Sequence, residues 1–184
     1  MQSLKNHFLI AMPMLGDPNF NEAVTYICQH DPDGALGITV NKPGNTTVGA
    51  ICRQLDLDVV DSPEIERPVF FGGPVEPERG FVLHESDPDY EGTLVIENGI
   101  RLTTSRDILE AIAGGVGPKD ALLALGYAGW AAGQLEAELA ANAWLSAEAD
   151  PKIIFATPCE ARWASAAELI GVDIHGITSY SGRA

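Results

Sequence analysis

The stretch Leu125–Leu145, LGYAGWAAGQLEAELAANAWL, decides how the chain is read. It is entered through Ala121–Leu125, an apolar run set off by Pro118-Lys119-Asp120, which predicts a buried strand. Gly126, Gly129 and Gly133 then punctuate a segment holding Tyr127 and Trp130. Glycine accepts positive φ and lets another backbone come close, so this spacing predicts a bend. From Gln134 a helix is expected, with Leu135, Leu139 and Ala143 on one face and Glu136 and Asn142 away from it. Glu136 and Glu138 fall in its first turns, where negative charge complements the helix dipole. Trp130 and Trp144 flank that helix and are expected to anchor it and the strand to one core. The helix start also offers backbone N–H donors to a ligand.

Working outward, His7–Met12 predicts a short strand, halted by the loop Met12–Pro18, and Phe20 is expected to plug the core beside that loop. Val24, Tyr26 and Cys28 alternate with Thr25, Ile27 and Gln29. With Asp31-Pro32-Asp33-Gly34 as turn and Ala35–Asn41 as second arm, they form the clearest hairpin. Thr47 is expected to cap a helix whose stripe is Val48, Ile51, Cys52 and Leu55, followed by an acidic surface loop over 56–67. Strands are expected at Val69–Phe71 and Phe81–His84, then an acidic, turn-rich stretch over 86–92. A second hairpin, 94–97 with 100–103, turns about Asn98-Gly99. Thr104 and Asp107 suggest a capping box for a helix burying Ile108, Leu109 and Ile112 and ended by Gly114-Gly115. Lys152–Ala156 is expected as a strand, Thr157-Pro158-Cys159-Glu160 as a helix start with Trp163, Ala167 and Ile170 as its stripe, Ile174–Tyr180 as a last strand and 181–184 as a tail. Strands in hairpin clusters, with helices between only some of them, indicate an α+β fold with a mixed sheet.

The chain has 184 residues, 46% of them hydrophobic, enough for one domain spanning 1–184 with a substantial core. Its net charge is −15, and its 11 basic residues are strewn along the chain, which disfavours nucleic acid and anionic membranes as partners. No apolar run reaches the roughly 20 residues that span a bilayer. MQSLKNHFLIAMPM lacks a small-residue cleavage site and is not read as a signal peptide. Cys28, Cys52 and Cys159 are odd in number and widely spaced, which points to neither a disulfide framework nor a zinc site and suits a reducing cytoplasm.

Four ordered stretches carry a family resemblance. They are Phe8-Leu9-Ile10-Ala11 with Asp17-Pro18-Asn19-Phe20; His30 through Gly34-Ala35-Leu36-Gly37 to Asn41-Lys42-Pro43; Gly72-Gly73-Pro74-Val75 to Arg79–His84; and Leu125–Trp130 with Gly133–Glu136 and Asn142-Ala143-Trp144. Together they resemble the YqgE/AlgH family of bacterial proteins over nearly the whole chain. The GYAGW…GQLE signature is its most specific part. The resemblance implies an α+β fold whose mixed, bent sheet curls toward a pseudo-barrel with helices packed outside, in a cytoplasmic bacterial protein. Some members are labelled transcriptional regulators, and the family brings no agreed catalytic residues. Where the family usually ends in Gly-His-Ala, this chain has Gly182-Arg183-Ala184.

Candidate ligand-binding residues are His30, Asn41, Lys42, Gly72, Gly73, Pro74 and His84, polar or glycine-rich positions at strand ends within those motifs. Two histidines and an asparagine converging at a sheet edge would suit an anion or a metal. His30 and His84 lack ligand spacing, however, so no metal and no cofactor is expected. Gly72-Gly73-Pro74 lacks the Lys-Ser/Thr of a phosphate loop and reads as a tight turn. Cys159, in a first helical turn with Arg162 one turn on, has the setting in which thiols become reactive. The expected function is a non-catalytic binding or regulatory protein for a small molecule or a protein, without direct DNA binding. The alternative is a hydrolase or transferase using His30 and His84 in one cleft. On this reading Trp144→Ala should destabilise sharply and His84→Ala should leave stability nearly unchanged.

Overall fold

The computed structural model describes residues 2–13, 17–85 and 90–180, apart from the side chains of 178–180. Among them the strands are β1 (His7–Ala11), β2 (Val24–Asp31), β3 (Gly34–Thr39), β4 (Pro43–Thr47), β5 (Pro68–Phe71), β6 (Val75–Glu85), β7 (Leu94–Val95), β8 (Ile100–Thr103), β9 (Ala121–Ala131) and β10 (Trp144–Glu148). The helices are α1 (Val48–Gln54), α2 (Arg106–Ala113), α3 (Gln134–Ala140), α4 (Pro151–Phe155), α5 (Arg162–Glu168) and α6 (Ile174–Tyr180). The strands follow the path β10-β1-β2-β3-β9-β6-β8-β7, with β5 branching from β9 and β4 pairing β5. Only β5 against β9 is parallel; the other pairings among the described residues are antiparallel. The result is the α+β half-barrel expected, a curled mixed sheet carrying helices on its outside.

Strand β9 makes the curl. Its end at 128–131 pairs with β3, while 121–127 pairs with β6 and 124–125 with β5. The changeover falls at Gly126, whose φ is +77°, opposite an irregularity in β6 between Val75 and Gly80. The glycine segment is therefore a kink within one strand, not a bend that ends it. Here the link from β5 to β6 presses directly on β9. A Cβ on Gly126 would stand 2.3 Å from the Gly73 carbonyl oxygen, and one on Gly72 would stand 2.2 Å from the Gly126 carbonyl oxygen. Gly72 also donates to Leu125 O and accepts from Thr39 N, both at 2.8 Å, which joins three strands at one residue.

The β2–β3 hairpin closes at Asp31 and Gly34 as predicted, and every residue from Val24 to Cys28 is fully buried. Both faces are covered: Tyr26 and Cys28 face the main core with Phe8, Phe81 and Leu83, and Ile27 faces a second cluster with Leu9, Trp130, Leu135 and Trp144. Phe20 joins that second cluster, with its ring 5.4 Å from that of Trp144. A third cluster seats α1 and α2 on the sheet through Cys52, Ile108 and Ile112 against Val69, Val82 and Leu123.

Several local expectations give way to the tertiary structure. Helix α3 ends at Ala140, because Asn142 takes φ +57° and stops it. Trp144–Glu148 then runs as β10 along β1. Lys152–Phe155 lies in α4 rather than a strand: Asp150 accepts from Lys152 N, and Pro151 occupies the first turn. That start signal outweighs an apolar run which periodicity alone cannot assign. Ile174–Tyr180 is helical too, with Asp173 Oδ1 accepting from Gly176 N at 3.2 Å. Helix α2 is capped by Ser105, not Thr104, and the Ser105 hydroxyl is engaged by Asp107 and the Glu91 carbonyl instead of closing a capping box. Thr157 does not cap α5; a 3-10 turn at Cys159–Ala161 precedes it, and Ile170 of the expected stripe is exposed. β3 ends at Thr39 and a separate strand, β4, begins at Pro43, where proline was expected to end strand structure; β6 starts at Val75, and the loop over 56–67 holds a 3-10 turn that buries Ile65. The loop at Met14–Gly16, the acidic stretch at Ser86–Asp89 and the tail at Ser181–Ala184 with Arg183 lie outside the described residues.

Two outcomes should separate the kink from a mere turn. Gly133 also has positive φ, +75°, but a Cβ there meets nothing within 4 Å. Gly133→Ala should therefore cost about 1–2 kcal/mol, the left-handed penalty alone. Gly126→Ala adds a backbone collision and should leave little folded protein in a urea titration.

The tryptophan prediction acquires a polar partner as well. Trp130 and Trp144 both donate from Nε1 to Oε2 of Glu138, at 2.9 and 2.8 Å, with their rings 6.2 Å apart and edge to face. Trp144→Ala should cost about 3–5 kcal/mol. Glu138→Ala, which strands two buried N–H groups, should cost on the order of 2 kcal/mol or more. Denaturant midpoints followed by tryptophan fluorescence measure both.

Candidate functional site: an arginine cleft

The polar residues singled out from the motifs hold the fold at separate places. His30 on β2 is 7% exposed and accepts at Nδ1 from the Leu4 amide at 2.9 Å. That donor fixes the tautomer, so Nε2 carries the proton given to Glu136 Oε1, also at 2.9 Å. The Glu136 carboxyl is held below the usual carboxylate range, first by its own backbone N–H at the helix start and then by His30. Asn41 accepts from Val24 N and donates to Glu22 O, each at 2.8 Å, while Lys42 donates to Asn21 O, so this pair clamps the segment leading into β2. Gly72 and Gly73 form the strand crossing, and Pro74 leads from it into β6.

His84 is fully buried on β6, with Nε2 at 2.8 Å from Thr103 Oγ1 and its ring 5.7 Å from Tyr90. His30 and His84 do not share a cleft. His30 pairs Ala35, which pairs Trp130, whereas His84 pairs Ala121. Those positions lie at opposite ends of β9, roughly 30 Å of strand apart. Among the described residues no group of three or more His, Cys, Asp or Glu is placed to hold a metal ion. Cys28 and Cys52 are core thiols whose ionisation burial opposes, pushing both pKa values up.

A different site emerges where α4 turns into α5 over the start of β9. Val48, Arg67, Phe70, Phe155, Cys159 and Arg162 are among the residues enclosing a cleft of about 300 Å³ there. Arg162 opens α5 and is only 7% exposed. Its Nε donates to Thr157 O at 2.8 Å, Nη1 donates to Val40 O, and the guanidinium carbon sits 5.3 Å from the centre of the Phe70 ring. Nη2 takes no partner among the described residues. Burial works against the charge, yet a guanidinium stays protonated in proteins. Arg67, which also lines the cleft, is half-buried and fixed by one nitrogen, Nη1, to Lys119 O at 2.6 Å and Ala121 O at 3.4 Å.

The lining of this cleft contains no aspartate or glutamate, although the chain carries 26 of them. The other large opening, about 550 Å³ beside the β2–β3 turn, is a groove that includes Asp31 and Asp33 with Tyr127 and Trp130. Arg162 was foreseen only as a neighbour of Cys159. Its reach to Val40, 122 positions away, has no signal in local sequence.

His84 was expected to be dispensable for stability, and its burial reverses that expectation. His84→Ala empties a fully buried ring site and removes one of the two partners of the Thr103 hydroxyl, the other being Thr93 Oγ1, so it should cost about 1–3 kcal/mol. A urea midpoint shift well below that would mean the pocket around His84 rearranges freely.

Known proteins share this architecture. A sequence profile of the AlgH-like family matches residues 8–175. A UPF0301 protein of Methylococcus capsulatus is 54% identical over 98% of this chain and 96% of its own length. One of Xanthomonas axonopodis pv. citri is 52% identical with the same coverage. The solution structure of AlgH from Pseudomonas aeruginosa superimposes with a TM-score of 0.80 at 45% identity, covering 100% of both chains. A crystal structure from Corynebacterium diphtheriae, 18% identical, shares the fold with a TM-score of 0.69 over 100% of this chain and 89% of that one. The profile match over most of the chain and relatives above half identity show that this chain belongs to the AlgH-like family.

Proposed function

We propose that this chain is a non-catalytic binding protein that seats a small molecule in the arginine cleft and passes its occupancy to a protein partner in the cytoplasm. The observation that carries this reading is the cleft's composition: two arginines set in an apolar lining without a single carboxylate. Its volume of about 300 Å³ falls at the lower end of ligand-pocket sizes. Catalysis by nucleophile and base is poorly served there. Thr157 donates its hydroxyl to Lys152 O, and no histidine, aspartate or glutamate lines the cleft to take a proton from Cys159.

A regulatory role of the kind the family label suggests would run through that protein partner and not through DNA. A net charge of −15 opposes a polyanion, and a specific DNA interface takes several phosphate contacts. Helix α2 contains one basic residue, Arg106, which is bonded to Glu110 and to Leu55 O; the α5 arginine, Arg162, is buried.

Two measurements test this. In a thermal-shift screen of small metabolites, at least one compound should raise the midpoint, and Ala156→Trp, placed at the exposed rim of the cleft, should abolish the shift. Mobility-shift titrations on duplex DNA at low salt should show no saturable binding below micromolar protein. Ligand shifts that survive Ala156→Trp would move the site elsewhere, and saturable DNA binding would overturn the indirect route.

A further inference from the structure

We infer that the ligand of the arginine cleft is a carboxylate monoanion carried on an apolar body, with Arg162 and Arg67 reading the head and the Phe70–Phe155 walls reading the body. This rests on the cleft being a binding site. The head is assigned by the donors left over. Arg162 spends Nε on Thr157 O and one Nη1 hydrogen on Val40 O, which fixes the plane of the guanidinium and leaves Nη2 facing no protein acceptor. A guanidinium so held is preorganised for the two oxygens of a planar carboxylate. Arg67, tied by Nη1 alone, brings a second positive charge to the same cleft.

The rest of the lining decides against free phosphate. Leu122, Leu123, Ile154 and Phe155 offer hydrocarbon beside the two arginines; the guanidinium fork would accept either oxyanion, and it is this wall that favours a head carried on an apolar body over free inorganic phosphate. An alkyl or aryl chain would instead gain about 25 cal/mol for each Å² of apolar surface it buries. The charge of the cleft matters all the more because the protein as a whole is anionic. The net −15 repels an anionic ligand at long range. Attraction must come from the two arginines at short range, where salt screens partly buried pairs weakly. Added salt should therefore leave binding unchanged or strengthen it, the reverse of what a loose surface ion pair shows.

The test uses the whole chain and defined probes: octanoate and 3-phenylpropionate, their uncharged counterparts octanol and 3-phenylpropanol, and inorganic phosphate. Titration calorimetry and the arginine side-chain N–H signals in NMR are the readouts. The carboxylates should bind saturably, at least tenfold more tightly than the alcohols and no more weakly at 0.5 M NaCl than at low salt. They should shift the Arg162 signals, and phosphate should not displace them. Ala156→Trp should abolish binding, and Arg67→Gln should weaken it several-fold. Because Arg162 also pins the chain, Arg162→Lys serves only if circular dichroism shows it folded; the NMR shifts of the parent protein need no variant. Alcohols binding as well as the acids, phosphate competing, or other library compounds filling the cleft while the carboxylates do not would each overturn the carboxylate assignment and leave the binding reading standing. If no compound of any class fills the cleft, the binding reading itself falls.

Discussion

The backbone contact between Gly126 and Gly72-Gly73 is the constraint on which the rest depends. β9 has to serve β3 at one end and β5 and β6 at the other. One strand can do this only if it kinks, and the link from β5 to β6 lies in the concavity of the kink, with carbonyl oxygens where any Cβ would stand. Everything that curls the sheet follows from that point. The curl brings the start of β9 under α4 and α5, and so it also forms the arginine cleft.

The segment after the kink is fastened by hydrogen bonds that double as packing. Gln134 Oε1 accepts from Ala131 N at 3.0 Å, and Gln134 Nε2 donates to Glu138 Oε1 at 3.0 Å. Glu138 then holds both indole N–H groups, and Glu136 holds His30. The acidic residues of α3 complement the helix dipole as expected from their position, but their larger task is to receive donors from three other strands, β2, β9 and β10. Buried indoles require such an acceptor, since an unpaired N–H in a core costs about 1–3 kcal/mol. The GQLE run is thus a structural fastening between strand and helix.

Charge is distributed with the same economy. Most carboxylates face solvent and keep the chain strongly anionic, while the cleft keeps two arginines and excludes acids. The buried Arg162 guanidinium is hydrogen-bonded by carbonyl oxygens, and the nearby Glu160 carboxylate supports its charge without forming an ion pair with it among the described residues. A structural salt bridge would have neutralised it. That contrast, more than the size of the opening, sets this cleft apart from the aspartate-bearing groove beside the β2–β3 turn.

Much was legible in the residues alone wherever a local rule decides the outcome. The Asp31–Gly34 hairpin, the Asn98-Gly99 turn with both residues at positive φ, the Thr47 cap on α1 and the buried tryptophans each follow from chemistry within a few positions. Short apolar runs were not legible. Ile153-Ile154-Phe155 fits a strand or a helix equally well, and Trp144–Glu148 became a strand only because β1 had an open edge to pair with. The candidate site divides in the same way. The sequence by itself determined the family, the acidic surface and the presence of polar residues at strand ends. Only the tertiary structure decided that His30 and His84 stand at opposite ends of β9, and that Arg162 and Arg67 face one cleft. Convergence of side chains far apart in the chain is set by strand register and by the kink at Gly126, which exist only once the sheet has closed.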